Sequence, residues 1–123
     1  MTTPEYITEL KDNEVFVFGS NKAGQHDGGA AKVAYDKFGA IYGIGHGLVG
    51  QSYAFPTLGK NLEKLDELDL KHAVTIFKYT VMRLPAVTFY LTKVGCGIAG
   101  YPEEDMKKLF INTPPNVIKP EGW

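Results

Sequence analysis

VFVFGSNKAGQHDGGAAK, residues 15–32, decides how the chain is read. Glu14 to Phe18, EVFVF, is β-branched and aromatic and stops at Gly19, as a buried strand does. Residues 29–38, GAAKVAYDKF, set Ala30, Val33, Ala34 and Phe38 near one face of a helix, with Gly39 as its stop. Between strand and helix lies a polar loop spaced with glycine. Such a loop either turns the chain or lets a ligand lie against bare backbone.

The same alternation continues outward. A second glycine-rich stretch, residues 39–51, leads into SYAFPT, a strand expected to end at Pro56. Beyond the polar run at 58–69, Leu70, Ala73 or Val74, Phe77, Val81 and Leu84 form one apolar helical stripe, which Pro85 ends. AVTFYLTKV, residues 86–94, is the clearest strand and runs into a third glycine loop. Pro102 with Glu103, Glu104 and Asp105 suits the start of a helix reaching about Phe110, and NVIKP supplies a last short strand. The order β-α-β-α-β-α-β predicts an α/β fold with a largely parallel sheet covered by helices on both faces.

At 123 residues the chain fits one domain, residues 1–123. That size buries roughly two-thirds of its unfolded surface, enough to fold without disulfides or metal. With 13 basic and 14 acidic residues and no basic block, the charge gives no support to a nucleic-acid partner. One cysteine, Cys96, excludes an internal disulfide framework and fits a reducing compartment. No signal peptide or membrane-length apolar run is visible, so the expected location is the cytoplasm.

In a parallel sheet the loops that follow strands emerge at one edge, where ligands bind. The glycine-rich segments 19–29, 43–50 and 95–100 all follow or flank strands, and two of them enter helices. Helix N-termini offer free N–H groups to anions, and glycine removes the side chain that would stand in the way. A phosphorylated ligand is therefore expected. No P-loop is present; Gly95, Gly97 and Gly100 match G-x-G-x-x-G by spacing alone, without the strand and acidic ribose anchor that should follow.

VFGSNKAGQHDGGAAKVAYDKFGA, QSYAFPT and KVGCGIAGYPEEDMKKLF resemble, in order and spacing, the macrodomain family and its macrodomain-like relatives. Gly95-Cys96-Gly97-Ile98-Ala99-Gly100-Tyr101-Pro102 resembles that family's phosphate-wrapping loop, and Gly28-Gly29-Ala30-Ala31 its other phosphate loop. The resemblance implies a three-layer α/β/α domain binding ADP-ribose, a related nucleotide or an ADP-ribosylated protein. Some relatives hydrolyse ADP-ribosyl groups, but the acid–base residues of those branches are not matched. Ala99 stands where one branch has aspartate, Leu58 where it has lysine (Lys60 comes two positions later), and Ala30-Ala31-Lys32 where another has aspartate.

Gly19, Ser20, Asn21, Gly28, Gly29, Ala30, Gln51, Ser52, Thr57 and the segment Gly95–Tyr101 (Gly95, Cys96, Gly97, Ile98, Ala99, Gly100, Tyr101) are the expected ligand-binding residues. Asn21 and Gln51 are assigned to ribose hydroxyls. For the alternative of a hydrolase, Asn21, His26 and Asp27 would position water or a phosphate oxygen. A third alternative is a partner-binding protein that has lost the ligand. His46 has a case like that of His26, whereas His72 reads as a surface residue. Lys60 and Lys93 could neutralise phosphate. Cys96 reads as a small buried residue rather than a nucleophile. Neither a cofactor nor a metal centre is expected, because three scattered histidines and one cysteine give no ligand spacing.

Overall fold

The chain runs β1 (Glu14–Asn21), α1 (Gly29–Lys37), β2 (Gly47–Val49), β3 (Ser52–Leu58), α2 (Glu67–Met82), β4 (Thr88–Leu91), α3 (Glu103–Leu109) and β5 (Val117–Ile118). This is a computed structural model describing residues 1–123. The sheet order is β2-β3-β1-β4-β5, so the quoted apolar strand is its centre. β3 and β4 flank β1 in parallel, with Val17 opposite Tyr53 on one side and Leu91 on the other. β5 adds in parallel to β4. The fold is thus α/β with a mixed, mostly parallel sheet.

Several elements depart from the sequence reading: β1 runs past its expected stop at Gly19 to Asn21, and β4 is Thr88–Leu91 within the expected 86–94. Residues 47–49, expected as loop, pair antiparallel with β3 and make the sheet mixed. Three residues next to glycines carry too little alternation to announce a strand. β3 also runs through Pro56 to Leu58, where the register with β1 shifts between Ser20 and Asn21. An irregular ladder is where a residue without an N–H is tolerated inside a strand.

Alternate side chains of the strands enter two cores. Val15, Val17, Tyr53, Phe55, Phe89 and Leu91 point to the face covered by α2 and α3, where Phe77 packs edge-on against Tyr53, Phe55 and Phe89. Phe16, Phe18 and Ala54 point to the other face, which α1 covers through Ala34 with Phe38 beyond it, helped by Ile7 and Leu10. The expected stripe of α2 is the buried one: Leu70, Ala73, Val74, Phe77 and Val81. Asp66 caps its start by accepting from the Asp69 amide at 2.8 Å, and Asn116 Nδ2 reaches the carbonyls of Val81, Leu84 and Val87 at its end. These contacts answer the helix's unpaired terminal groups.

Both chain ends are held. The Thr3 amide donates to the Lys119 carbonyl at 2.8 Å and its hydroxyl to that of Ile118 at 2.9 Å, at the end of β5. Trp123 stacks on Phe110 with ring centroids 5.9 Å apart and donates its indole N–H to Glu103.

At the carboxyl end of β1 the chain crosses itself closely. Gly45 lies on the Asn21 carbonyl so tightly that a Cβ would collide with main-chain atoms, and its own carbonyl accepts from the Ser20 hydroxyl. Gly24, at φ +72°, is pressed in the same way against Gly43 and the Ile44 amide. Gly45→Ala should therefore destabilise the protein by about 1–3 kcal/mol, as overpacking against unyielding backbone does. Urea unfolding followed by circular dichroism would measure it; an unchanged midpoint would show that the crossing is loose.

Candidate functional site

Two neighbouring strands send their following loops to opposite faces of the sheet. From β1 the chain passes through residues 22–28 into α1, on the face of the smaller core. From β4 it passes through residues 92–102 into α3, on the face of the larger one. Strand order also reverses here, since β1 leads towards β3 and β4 towards β5. A crevice outside the carboxyl ends at such a switch point is the usual ligand position in open α/β sheets. At its floor, a Cβ on Gly19 would meet the Gly95 amide nitrogen at 3.2 Å.

The loop from β1 is rigid through its own contacts. Asn21 accepts from the Gln25 amide and donates to the Gln25 carbonyl, both at 3.0 Å, closing a tight turn. Its side chain, expected at a ribose, thus closes the loop on itself with one N–H and its carbonyl oxygen. His26 turns inward, only 1% exposed, against the edge of Phe18 and beside Tyr42. Its Nε2 meets the Ile41 carbonyl at 3.0 Å, while Nδ1 is buried without a partner. An imidazole so enclosed joins the first glycine loop to the second and does not face a rim ligand. Of the three residues assigned to water, Asp27 alone stays exposed.

The main chain at the mouth is differently disposed. The amides of Gly28, Gly29, Ala30 and Ala31 have no acceptor within the protein; the first bond of α1 is from Lys32 to the Gly28 carbonyl. Alone among the three helices, α1 has no acidic residue in its first turn, and no side chain caps it. In the loop after β4 the amides of Gly97, Ile98 and Ala99 are likewise unpaired, whereas Gly100 donates to the Gly97 carbonyl and Tyr101 to that of Gly95. The turn therefore presents three free amides, and Gly100, expected among the donors, uses its own internally.

Two of these glycines are unexplained by the fold. A Cβ at Gly28 or Gly97 would meet nothing within 4 Å, and neither residue has the positive φ that favours glycine. Gly29, at φ +58°, is required by conformation alone.

The rest of the third loop is braced from behind. Tyr101 donates its hydroxyl towards the carbonyls of Leu65 at 2.6 Å and Thr57 at 3.0 Å, tying this loop to the one after β3. Tyr101 is thus a strap, and burial holds its phenol above the ordinary value. Ile98 is fully exposed and Ala99 buried. Lys93 is paired with Glu103 at 3.1 Å, so its charge is already answered. Burial pushes the Cys96 thiol up, with Glu103 adding to the effect and Lys93 opposing it.

Other expected residues fall elsewhere. Ser52 begins β3 and Gln51 precedes it, at the opposite end of the sheet, because residues 47–49 are a strand that carries the chain down to that edge. There Gln51 donates to the carbonyls of Lys11 and Glu14, and Ser52 to that of Val49. Neither belongs to the rim. Thr57 is at the right end but buried, its hydroxyl given to the Ser20 carbonyl. His46 stays at the surface of the second loop, its imidazole pushed down by lost hydration and by the nearby His72 and Lys22. No group of three His, Cys, Asp or Glu residues could hold a metal ion. Two surface hollows lie away from the crevice, about 200 Å³ beneath Tyr6 and Ile7 and about 270 Å³ beside Thr80 and Arg83.

Lys64 was missed in the sequence. Its ammonium lies 3.2 Å from the Gly100 carbonyl and 4.8 Å from the centre of the Tyr101 ring. Nothing in the run KNLEKL separates it from Lys60; the hairpin-like pairing of Leu58 with Lys64 brings it to the third loop. No protein-family model matches the chain, and neither the curated proteins nor the solved structures searched contain a match to it.

Gly97→Ala should keep the protein's stability or raise it by about 0.4–1 kcal/mol, by restricting the unfolded chain. Gly28→Ser should also hold or raise it, because serine caps a helix well. Gly29→Ala should lower it by about 1–2 kcal/mol, the cost of a side chain at left-handed φ. Thermal melts of the three variants check this ordering, and a loss in the first two would reveal an internal role for those glycines. Cys96 should be alkylated by iodoacetamide at neutral pH more slowly than a free cysteine, since less of it is thiolate; a faster reaction would contradict the raised thiol.

Proposed function

We propose that the chain binds ADP-ribose or a closely related phosphorylated nucleotide in the crevice between the 22–28 and 92–102 loops, as a macrodomain-like protein. The observation that carries this reading is the pair Gly28 and Gly97. Both lack a side chain where neither backbone conformation nor packing calls for its absence, and each adjoins a run of unpaired amides. A diphosphate lying on those amides gives both glycines a reason, because bare backbone allows its oxygens to approach. The uncapped start of α1 adds favourable partial charge. ADP-ribose, rather than another diphosphate, comes from the sequence resemblance.

Binding is favoured over hydrolysis. His26 is enclosed and Asn21 is occupied by Gln25, which leaves Asp27 without an evident partner for activating water. Asp27 beside the amides would repel a phosphate at close range, so a ribose hydroxyl suits it better.

Isothermal titration calorimetry with ADP-ribose, AMP and NAD tests the reading. ADP-ribose should bind, and Gly28→Ser and Gly97→Ala should each weaken it about ten-fold or more while the fold stays intact. Absence of heat with millimolar ADP-ribose, or unchanged affinity in both variants, would overturn the proposal.

A further inference from the structure

The loop after β3, residues 59–66, brings a positive charge to the crevice. Four lysines of this chain, Lys32, Lys71, Lys93 and Lys107, lie within 4.0 Å of a carboxylate, and Lys64 is not among them. Its partners are the Gly100 carbonyl and the face of Tyr101. The Tyr101 ring is itself fixed by the two carbonyls its hydroxyl meets, so it forms a shelf for the ammonium. The end of the lysine lies in van der Waals range of Gly100, since a Cβ there would touch Lys64 Cε at 3.8 Å and Nζ at 3.9 Å. A cation is therefore stationed next to the turn whose Gly97, Ile98 and Ala99 amides are unpaired.

We propose that the Lys64 ammonium neutralises a phosphate lodged against the Gly97–Ala99 amides, which makes this side of the crevice selective for a charged phosphate over a neutral group. This inference rests on the nucleotide reading above. The carbonyl and the ring that hold the ammonium are weaker partners than a phosphate oxygen, which forms a charge-assisted bond. The amides fix where the phosphate sits; the lysine adds a charge that salt can screen.

Calorimetry on the full chain compares wild type with Lys64→Met, which keeps most of the stem, and Lys64→Arg, which keeps the charge. The probes are ADP-ribose, AMP and adenosine at low and high sodium chloride. Lys64→Met should weaken ADP-ribose about ten-fold or more, flatten its salt dependence and leave the melting temperature unchanged. Lys64→Arg should retain most of the affinity, and any adenosine binding should be indifferent to both changes. If wild type binds ADP-ribose and Lys64→Met binds it equally well with the same salt dependence, the role of Lys64 is wrong and the nucleotide reading stands. Equal losses in the Met and Arg variants, or a marked fall in melting temperature for Lys64→Met, would also overturn it. If wild type binds none of the probes, both readings fall together.

Discussion

The architecture turns on the crowding of main chain around the carboxyl end of β1. That strand has parallel neighbours on both sides and a helical layer or loop above each face, so its end is enclosed by backbone from three other segments. Gly19 under the Gly95 amide, Gly45 on the Asn21 carbonyl and Gly24 against Gly43 are the contacts that let this happen. A side chain at the last two would drive the loops apart. With them closed, the first and second loops become one unit, locked further by the Ser20 hydroxyl and the buried His26 ring. The loops at this end of the sheet are thereby tied together by main-chain contact as well as by side chains.

Glycine consequently has two meanings in this chain. At the end of β1 it allows backbone to touch backbone. At Gly28 and Gly97 it leaves open space. In the sequence these are indistinguishable, for the residues are the same and lie only a few positions apart.

This is also why the fold was more legible than the site. Strands and helices announced themselves by burial and periodicity: EVFVF, the stripe from Leu70 to Val81 and the acidic start of α3 all lie where those patterns put them. The three-residue β2 had no pattern to show. It also explains the misplacement of Gln51 and Ser52, because an unseen strand carries the chain back to the far edge before β3 begins. His26 lies in a loop as expected and Asn21 at the end of a strand that outruns its expected stop at Gly19, yet the direction of both side chains depends on Gln25, Ile41 and Phe18, contacts that spacing does not encode. Lys64 could not be told from Lys60 because the register of its loop is set by pairing with Leu58.

The brevity of the two outer strands bears on how copies of the protein meet in concentrated solution. A sheet margin with free amides and carbonyls is a template for joining another sheet. On one side, β5 is only Val117–Ile118. On the other, β2 is only Gly47–Val49, a margin too brief to recruit a strand firmly. Resistance to edge-to-edge aggregation thus falls to sheer shortness at both margins.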